Sequence, residues 1–324
     1  MSGTDTLAQR LRNGDRVALA RAITLVESAL PDHRQGAEAL LAALSPMTAT
    51  SLRLGITGVP GVGKSTFIDA FGLQAIDMGH RIAVLAIDPS SPVGGGSILG
   101  DKTRMTELSR RQEAFIRPSP AGETLGGATR RTRESIAVCE AAGFDLVIVE
   151  TVGIGQSETA VADMVDIFML LLAPGGGDEL QGIKRGVVEC ADIVVVNKAD
   201  GELAAEAARM QQAYAGALHL MGPREDRAEP PVLTCSALTG QGIANVWQAV
   251  ERRRQALGSP GLAARRAAQS KAWMWAETTE TLMDRLRSDP TVRKAAADLE
   301  TAVEAGALTP AEAARRIIRL FLGR

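Results

Sequence analysis

The sequence predicts an α/β fold in which a doubly wound, mainly parallel sheet carries helical extensions at both ends of the chain. Short, continuous aliphatic runs such as Ile193-Val194-Val195-Val196 alternate with helix-compatible stretches from Leu52 to about Val250. Runs of this kind are typical of strands that are covered by helices on both faces. The regions before and after this alternation have the apolar spacing of helices.

The predicted strands are short, and each is followed by a polar or glycine-containing segment. Since strands that alternate with helices pair in parallel, their carboxyl ends should lie at one edge of the sheet. These strands are Leu52–Thr57, Ile82–Ile87, Phe115–Arg117, Leu146–Glu150, Ile167–Leu172, Ile193–Val196 and Val232–Cys235.

The two ends of the chain are predicted to be helical. Apolar residues recur at helical spacing from Leu7 to Leu30, and Ser45-Pro46 ends that region. After Gly258 the chain is rich in Ala, Arg and Glu, and we expect three helices interrupted near Pro290 and Pro310. We therefore predict an N-terminal helical extension over 1–46, a central domain over 47–257 and a C-terminal helical arm over 258–324. We interpret the tryptophans of the arm, Trp273 and Trp275, as core anchors, with an interface role as the alternative.

Composition limits the classes of partner. The 324 residues carry a formal net charge of −2, which gives no general attraction to nucleic acid or to an anionic membrane surface. The longest apolar run, from Ile167 to Pro174, is far shorter than the roughly 20 residues that cross a bilayer. The three cysteines are scattered, which predicts reduced, small buried residues in a cytoplasmic protein.

The segment from Gly58 to Ser65 fits the phosphate-binding pattern G-x-x-x-x-G-K-S at every fixed position. A predicted strand precedes it and a predicted helix follows it, so we predict the fold of a P-loop NTPase. Glycines let successive N–H groups face one anion, and the helix adds its positive dipole end. We predict that Lys64 contacts the β- and γ-phosphates as a catalytic residue and that the Ser65 hydroxyl binds Mg²⁺. The predicted phosphate-binding residues are Gly58, Val59, Pro60, Gly61, Val62, Gly63, Lys64, Ser65 and Thr66.

A second motif, Asn197-Lys198-Ala199-Asp200, predicts a guanine base. The Asp200 carboxylate can accept hydrogen bonds from the ring N–H and the amino group of guanine, whereas adenine would leave it unpaired. Asn197 would bind the base or tie neighbouring loops, and Lys198 would lie across the ring. One strand later, Ser236, Ala237 and Leu238 stand where GTPases present backbone N–H groups to guanine O6. We therefore predict GTP and GDP as ligands.

Two strand ends provide candidate metal ligands. Glu150 ends a buried strand, where an NTPase places the carboxylate that holds Mg²⁺. Asp88 ends another strand, and we predict that it orients the attacking water or a metal-bound water. In the glycine-rich loop that follows, Asp101 is predicted to join the Mg²⁺ shell, and Lys102 or Arg104 to balance phosphate charge during catalysis.

Hydrolysis by the isolated protein is predicted to be slow. The residue after Gly153 is Ile154, whereas Ras-type enzymes have a water-orienting glutamine there. We therefore expect turnover to rise with a partner or with a rearrangement of the site.

Several longer segments make the similarity to one family specific. They are Asp88–Met105, Phe115–Glu134, Glu150–Glu158 and Asp178–Arg185, together with the two nucleotide motifs. The chain resembles, over nearly its whole length, the MeaB/ArgK GTPases, accessory proteins of methylmalonyl-CoA mutase in the SIMIBI class of nucleotide hydrolases.

The resemblance implies a GTP-hydrolysing chaperone that gates adenosylcobalamin delivery to the mutase and protects the mutase from inactivation. It implies a homodimer held largely by the C-terminal helices. It also implies nucleotide-responsive loops around Asp88–Arg104, around Gly153–Glu158, which contains Gln156, and around Asp178–Lys184. In the third loop, Asp178 and Lys184 would relay the nucleotide state to the mutase.

Two other functions use the same phosphate-binding loop. A kinase acting on a transport-related protein or a small molecule is the first alternative; it would need an acceptor pocket, and the guanine motif argues against it. A metal-insertion GTPase is the second; it would need a segment rich in His or Cys, and the sequence contains none.

Overall fold

The computed structural model of the chain describes residues 3–28, 30–44, 51–88, 105–120, 125–151, 158–175, 185–222 and 229–323. The chain divides into two compact units, residues 1–267 and 268–324. The first unit contains the predicted sheet and the N-terminal helices, and the second contains the end of the chain. The boundaries at 46 and 258 stay a prediction.

The first unit is built on a seven-stranded sheet with the order β3-β2-β4-β1-β5-β6-β7, in which every registered pair is parallel. The doubly wound α/β fold is thereby confirmed. β1 lies near the middle, and the chain builds strands on both sides of it. Ligands bind at the carboxyl ends of strands in such sheets. The strands are β1 (Leu52–Gly58), β2 (Ile82–Asp88), β3 (Ala114–Pro120), β4 (Leu146–Thr151), β5 (Ile167–Leu172), β6 (Ile193–Val196) and β7 (Val232–Thr234).

Eleven α-helices lie in the described residues. The last three begin or bend where the sequence has glycine or proline, because Gly258 has a positive φ of 59° inside the ninth helix and the other two begin at prolines. The helices are α1 (Gly3–Arg12), α2 (Arg16–Glu27), α3 (Pro31–Leu44), α4 (Lys64–Asp77), α5 (Leu125–Ala141), α6 (Glu158–Ala162), α7 (Arg185–Cys190), α8 (Ala204–Leu220), α9 (Ile243–Ser288), α10 (Pro290–Glu304) and α11 (Pro310–Phe321).

Alternate residues of each strand feed two hydrophobic cores, one on each face of the sheet. In β1, Leu54 and Ile56 belong to the core that α4 and the start of α9 complete. Gly55 faces the other core, where a Cβ atom would lie 2.8 Å from the Phe168 ring and 3.0 Å from Val165. The strands are therefore apolar on both faces, which is why their sequences do not alternate.

The N-terminal helices share the core of the first unit. Leu11, Leu19 and Leu40 are buried with strand residues on one face of the sheet. Arg34 of α3 also donates two hydrogen bonds, of 2.8 and 2.6 Å, to the buried Glu134 carboxylate of α5. The hydrogen bonds to this carboxylate raise the pKa of Arg34.

Buried carboxylates at the amino ends of the strands hold α9 to the sheet. Asp192 precedes β6 and accepts from Arg253 at 2.9 Å and from Arg265 at 3.3 Å, residues on either side of the Gly258 bend. Asp166 precedes β5 and accepts two hydrogen bonds from Arg266. The path of α9 through residue 267 is therefore set by paired charges at the edge opposite the predicted nucleotide site.

The second unit contains the end of α9 together with α10 and α11. The breaks predicted near Pro290 and Pro310 are confirmed: Asp289 caps α10 and Thr309 caps α11 immediately before these prolines. Trp275 is 61% exposed, so its interpretation as a core anchor is wrong. Across the described residues, none of the helices combines the length and apolar character needed to cross a bilayer.

Candidate nucleotide-binding site

The segments predicted to bind the nucleotide meet at one edge of the sheet. The phosphate-binding segment follows β1, Glu150 lies in β4, and the two base-binding segments follow β6 and β7. All of these strands run in the same direction, so their carboxyl ends lie together. Distant parts of the sequence thereby form one site.

The Lys64 side chain folds back over the phosphate-binding loop. Its ammonium group donates to the carbonyl oxygen of Gly58 at 2.7 Å and to that of Val59 at 3.2 Å. Lys64 is the first residue of α4, whose N-terminal N–H groups and dipole favour an anion at the same place. The charge and the backbone donors therefore converge on the expected phosphate position.

Gly63 lies where the phosphate-binding loop closely approaches the base-binding loop, residues 197–200. Its φ is +89°, a left-handed conformation that residues with a Cβ atom rarely adopt. A Cβ atom at this position would also lie 2.9 Å from Asn197 Nδ2. Glycine is therefore required both by the turn and by the close approach.

Ser65 and Glu150 form a pair of oxygen donors beside the loop. The Ser65 hydroxyl donates to Glu150 Oε1 at 3.2 Å, and Glu150 is buried at the end of β4. The described residues contain no cluster of three or more His, Cys, Asp or Glu side chains suited to a metal. A hydroxyl and a carboxylate nevertheless fit Mg²⁺, which usually takes one or two protein ligands and completes its shell with phosphates and water.

Asn197 ties three segments of the site together. Its Nδ2 donates to the Val62 carbonyl oxygen at 3.0 Å, and its Oδ1 accepts from the Ala237 N–H at 3.0 Å. The Cys235 thiol also donates to Oδ1, at 3.6 Å. Burial raises the pKa of that thiol to about 12, so it stays a neutral donor. Of the two roles considered for Asn197, the structure shows the loop tie.

The Asp200 carboxylate is oriented by a neighbouring hydroxyl. Ser236 Oγ donates a hydrogen bond to Asp200 Oδ2 and accepts one from the Thr239 N–H at 3.1 Å. Lys198 has a positive φ of 59°, and its ammonium group donates to the Gly61 carbonyl oxygen at 2.7 Å. The carboxylate and the lysine stem are thus held in place at the end of β6.

Comparison with known proteins identifies the family. A sequence model of the family described as Methylmalonyl Co-A mutase-associated GTPase MeaB matches residues 19–291. The chain belongs to the MeaB family. The family is one of GTPases, and this MeaB-family protein is accordingly a GTPase whose P-loop fold binds guanine nucleotides.

Individual relatives cover almost the whole of this MeaB-family chain. GTPase ArgK of Escherichia coli is 52% identical over 87% of this chain and 86% of its own length. Methylmalonic aciduria type A homolog, mitochondrial, of Mus musculus is 47% identical over 99% of this chain and 80% of its own. A crystal structure described as LAO/AO transport system kinase shares 39% identity with a TM-score of 0.79, covering 99% of both chains.

Several predicted residues of this MeaB-family GTPase are placed only in part or not at all. Asp88 is the last residue of β2, in register with Pro120 of β3, which places its backbone at the nucleotide edge; its side chain is outside the described part. Seven further predicted residues lie outside the described residues: Asp101, Lys102, Arg104, Gly153, Gln156, Asp178 and Lys184.

Sequence reasoning missed two groups of supporting side chains. It assigned Ser236 to a backbone contact and overlooked the hydroxyl that orients Asp200. It also missed Thr57 and Thr151; the Thr151 hydroxyl donates a hydrogen bond of 2.7 Å to Thr57 Oγ1. The position of a hydroxyl next to a recognised motif was the available signal, since Thr57 precedes Gly58 and Thr151 follows Glu150.

Proposed function

We propose that this MeaB-family GTPase is a chaperone of methylmalonyl-CoA mutase that gates adenosylcobalamin delivery and protects the mutase from inactivation. The observation that carries the proposal is the family match, whose description names the mutase, over residues 19–291. The name of the mouse relative refers to methylmalonic aciduria, which points to the same metabolism. In such a chaperone, the free energy of nucleotide binding biases a protein–protein complex.

The proposed hydrolytic site uses Mg²⁺ and the side chains gathered at the sheet edge. Ser65 and Glu150 are proposed to hold the metal, with Asp88 and Asp101 completing its shell or orienting its water. When bound, the metal neutralises charge that develops on the transferred phosphoryl group. Lys64 and Arg104 are proposed to supply the remaining positive charge. The lysine at Gly58 and the hydroxyl at Glu150 support this arrangement.

The proposed base contacts follow the two loops at the ends of β6 and β7. Asp200 would accept from guanine, and the backbone of Ser236, Ala237 and Leu238 would face its O6 atom. The hydrogen bond from Ser236 supports this assignment, because it orients the Asp200 carboxylate at the end of β6.

The wider proposal concerns assembly and signalling. We propose a cytoplasmic homodimer held by the C-terminal arm, and a relay to the mutase through the loops that contain Gly153, Gln156, Asp178 and Lys184. Several large apolar side chains exposed in the second unit support the dimer, since larger exposed apolar patches mark protein–protein interaction sites.

A kinase is the second candidate, and it rests on one comparison. The similar crystal structure is described as a transport system kinase. The guanine-directed carboxylate Asp200 and its orienting hydroxyl favour the GTPase reading, because a kinase that uses ATP has no need of this pair.

The test combines the purified protein with adenosylcobalamin-dependent methylmalonyl-CoA mutase. We expect the mutase to raise GTP turnover, and co-elution in size-exclusion chromatography to differ between GDP and a non-hydrolysable GTP analogue. The Lys64→Ala variant is the control, since it should bind nucleotide weakly and lose this difference. GTP turnover that does not change when the mutase is added, together with no nucleotide-dependent co-elution, would contradict the proposal. Transfer of phosphate from GTP to a protein or small-molecule acceptor would favour the kinase.

A further inference from the structure

We propose that the hydroxyl groups of Thr57 and Thr151 are a positioning pair, which holds the phosphate-binding loop and the Glu150 carboxylate at the spacing that Mg²⁺-nucleotide binding requires. Both residues are buried, at 1% and 0% exposure, and the Thr151 hydroxyl donates to Thr57 Oγ1 at 2.7 Å. The inference rests on the proposed metal site of Ser65 and Glu150 and deepens it.

The pair lies where two neighbouring strands part. The parallel register of β1 with β4 ends at Ile56 and Glu150. Beyond that point, β1 stays in register with β5 as far as Gly58, and β4 stays in register with β2 as far as Thr151. Each strand end is thus held by its outer neighbour. A side-chain hydrogen bond joins the two ends where their backbone pairing has stopped.

Each hydroxyl is one peptide unit away from a contact of the site. Thr57 precedes Gly58, whose carbonyl oxygen accepts from the Lys64 ammonium group at 2.7 Å. Thr151 follows Glu150, whose Oε1 accepts from the Ser65 hydroxyl at 3.2 Å. A change in the separation of the two strand ends would therefore move the partners of Lys64 relative to the metal-binding carboxylate.

The Thr57 hydroxyl is on a face of β1 where the neighbouring Gly55 has apolar contacts. Gly55, two residues before Thr57 and on the same face of β1, packs against Phe168, Val161 and Val165. A buried hydroxyl group costs free energy unless it is hydrogen-bonded, and valine differs from threonine in having a methyl group where threonine has the hydroxyl. Valine would fill the space equally well, but it could not form the hydrogen bond that fixes the distance between the two strand ends.

The experiment separates positioning from packing. Thr57→Val, Thr151→Val and the double variant are compared for thermal unfolding without nucleotide, and for the Mg²⁺ concentration that gives half-maximal slowing of fluorescent GDP release. We expect each single variant to raise that Mg²⁺ concentration by about tenfold, the range typical of residues that orient metal ligands. Thr151→Ser keeps the hydroxyl and is expected to behave like the unaltered protein.

The double variant decides the question. It leaves no buried hydroxyl unpaired, so its thermal midpoint should recover towards that of the unaltered protein. If the pair positions the site, the raised Mg²⁺ requirement persists in this variant. A Mg²⁺ response that recovers together with stability would show a packing role and overturn the inference.

Glu150→Gln distinguishes failure of the inference from failure of the proposed site. If this variant raises the Mg²⁺ requirement and the threonine variants do not, the positioning role alone is wrong. If Glu150→Gln leaves the Mg²⁺ response unchanged, the proposed metal site is wrong and the inference falls with it.

Discussion

At the scale of single residues, we propose that base selection depends on one carboxylate and the hydroxyl beside it. Asp200 ends the base-binding loop, and Ser236 donates to its Oδ2 from the loop after β7. A carboxylate can only accept hydrogen bonds, so it matches the two donors on the guanine edge. Its orientation is fixed by a residue 36 positions away in the sequence.

Asp200→Asn should exchange guanine preference for xanthine preference. The amide adds a donor that meets the xanthine carbonyl group, and the guanine amino group loses an acceptor. We expect GDP affinity to fall by at least about 100-fold and xanthosine diphosphate to bind better than GDP in calorimetric titration.

Ser236→Ala is the matched control for this exchange. It removes the hydroxyl that orients Asp200 but leaves the carboxylate, so GDP should bind more weakly while guanine stays preferred. Continued selection of guanine by the Asp200→Asn variant would show that another group reads the base.

At the scale of secondary-structure elements, β1 is constrained on both faces by its central position. Its neighbours β4 and β5 are parallel to it, and helices cover both faces. Gly55 lies in the middle of this strand and faces Phe168, Val161 and Val165 at distances that leave no room for a methyl group. The start of the phosphate-binding loop is thus fixed by packing.

Gly55→Ala should therefore destabilise the protein by about 1–3 kcal/mol, because overpacking forces neighbouring side chains to shift. The measurement is urea unfolding followed by circular dichroism. Gly216→Ala is the control, since Gly216 lies within α8 with open space around its Cβ position. That change should stabilise by up to about 1 kcal/mol. Equal stability of the two variants would contradict the packing described for β1.

The beginning of α9 is held by buried charge as well as by apolar contact. Asp192 has a fully buried side chain and pairs with Arg253 and Arg265, which flank the bend at Gly258. Asp192→Asn should cost about 3 kcal/mol in unfolding free energy, because it leaves arginines in a buried setting without their counter-charge. Glu107→Gln, which breaks the exposed pair with Arg110, should have almost no effect. Equal losses in the two variants would show that burial does not determine the strength of the Asp192 pairs.

At the scale of the whole molecule, the second unit has apolar side chains that lie in solvent within a single chain. Ile318 is 50% exposed on α11, and Met274 and Trp275 are exposed on α9. Association of two chains would cover such a surface. This is the physical basis for the proposed homodimer.

Ile318→Arg should shift the protein towards monomers in sedimentation velocity, because it places a charge in the proposed interface. Nucleotide binding should be unchanged, since the site lies in the first unit. Lys294→Glu, an exposed change of charge in the same unit, is the control and should leave the sedimentation coefficient unaltered. A dimer that survives Ile318→Arg would place the interface elsewhere.

Much of the fold and part of the site could be predicted from sequence because the signals are local. All seven strands were predicted, most of them from continuous aliphatic runs, and prolines predicted where α10 and α11 begin. The spacing of Gly58, Gly63 and Lys64 predicted a phosphate-binding loop, since the backbone there needs glycine and a neighbouring cation. The interpretation of Trp275 as a core anchor was wrong because an aromatic residue in a helix has the same local sequence pattern whether it faces a core or solvent.

The sequence by itself determined the strands, the helices and the two nucleotide motifs of this protein, because each depends on residues that are close together in the chain. The tertiary structure alone decided the pairs that organise them: Asn197 with Val62, Ser236 with Asp200, and Thr151 with Thr57. These partners are separated by 36 to 135 positions. They meet only because the strand order and parallel register of the sheet bring the ends of β1, β4, β6 and β7 to the same edge.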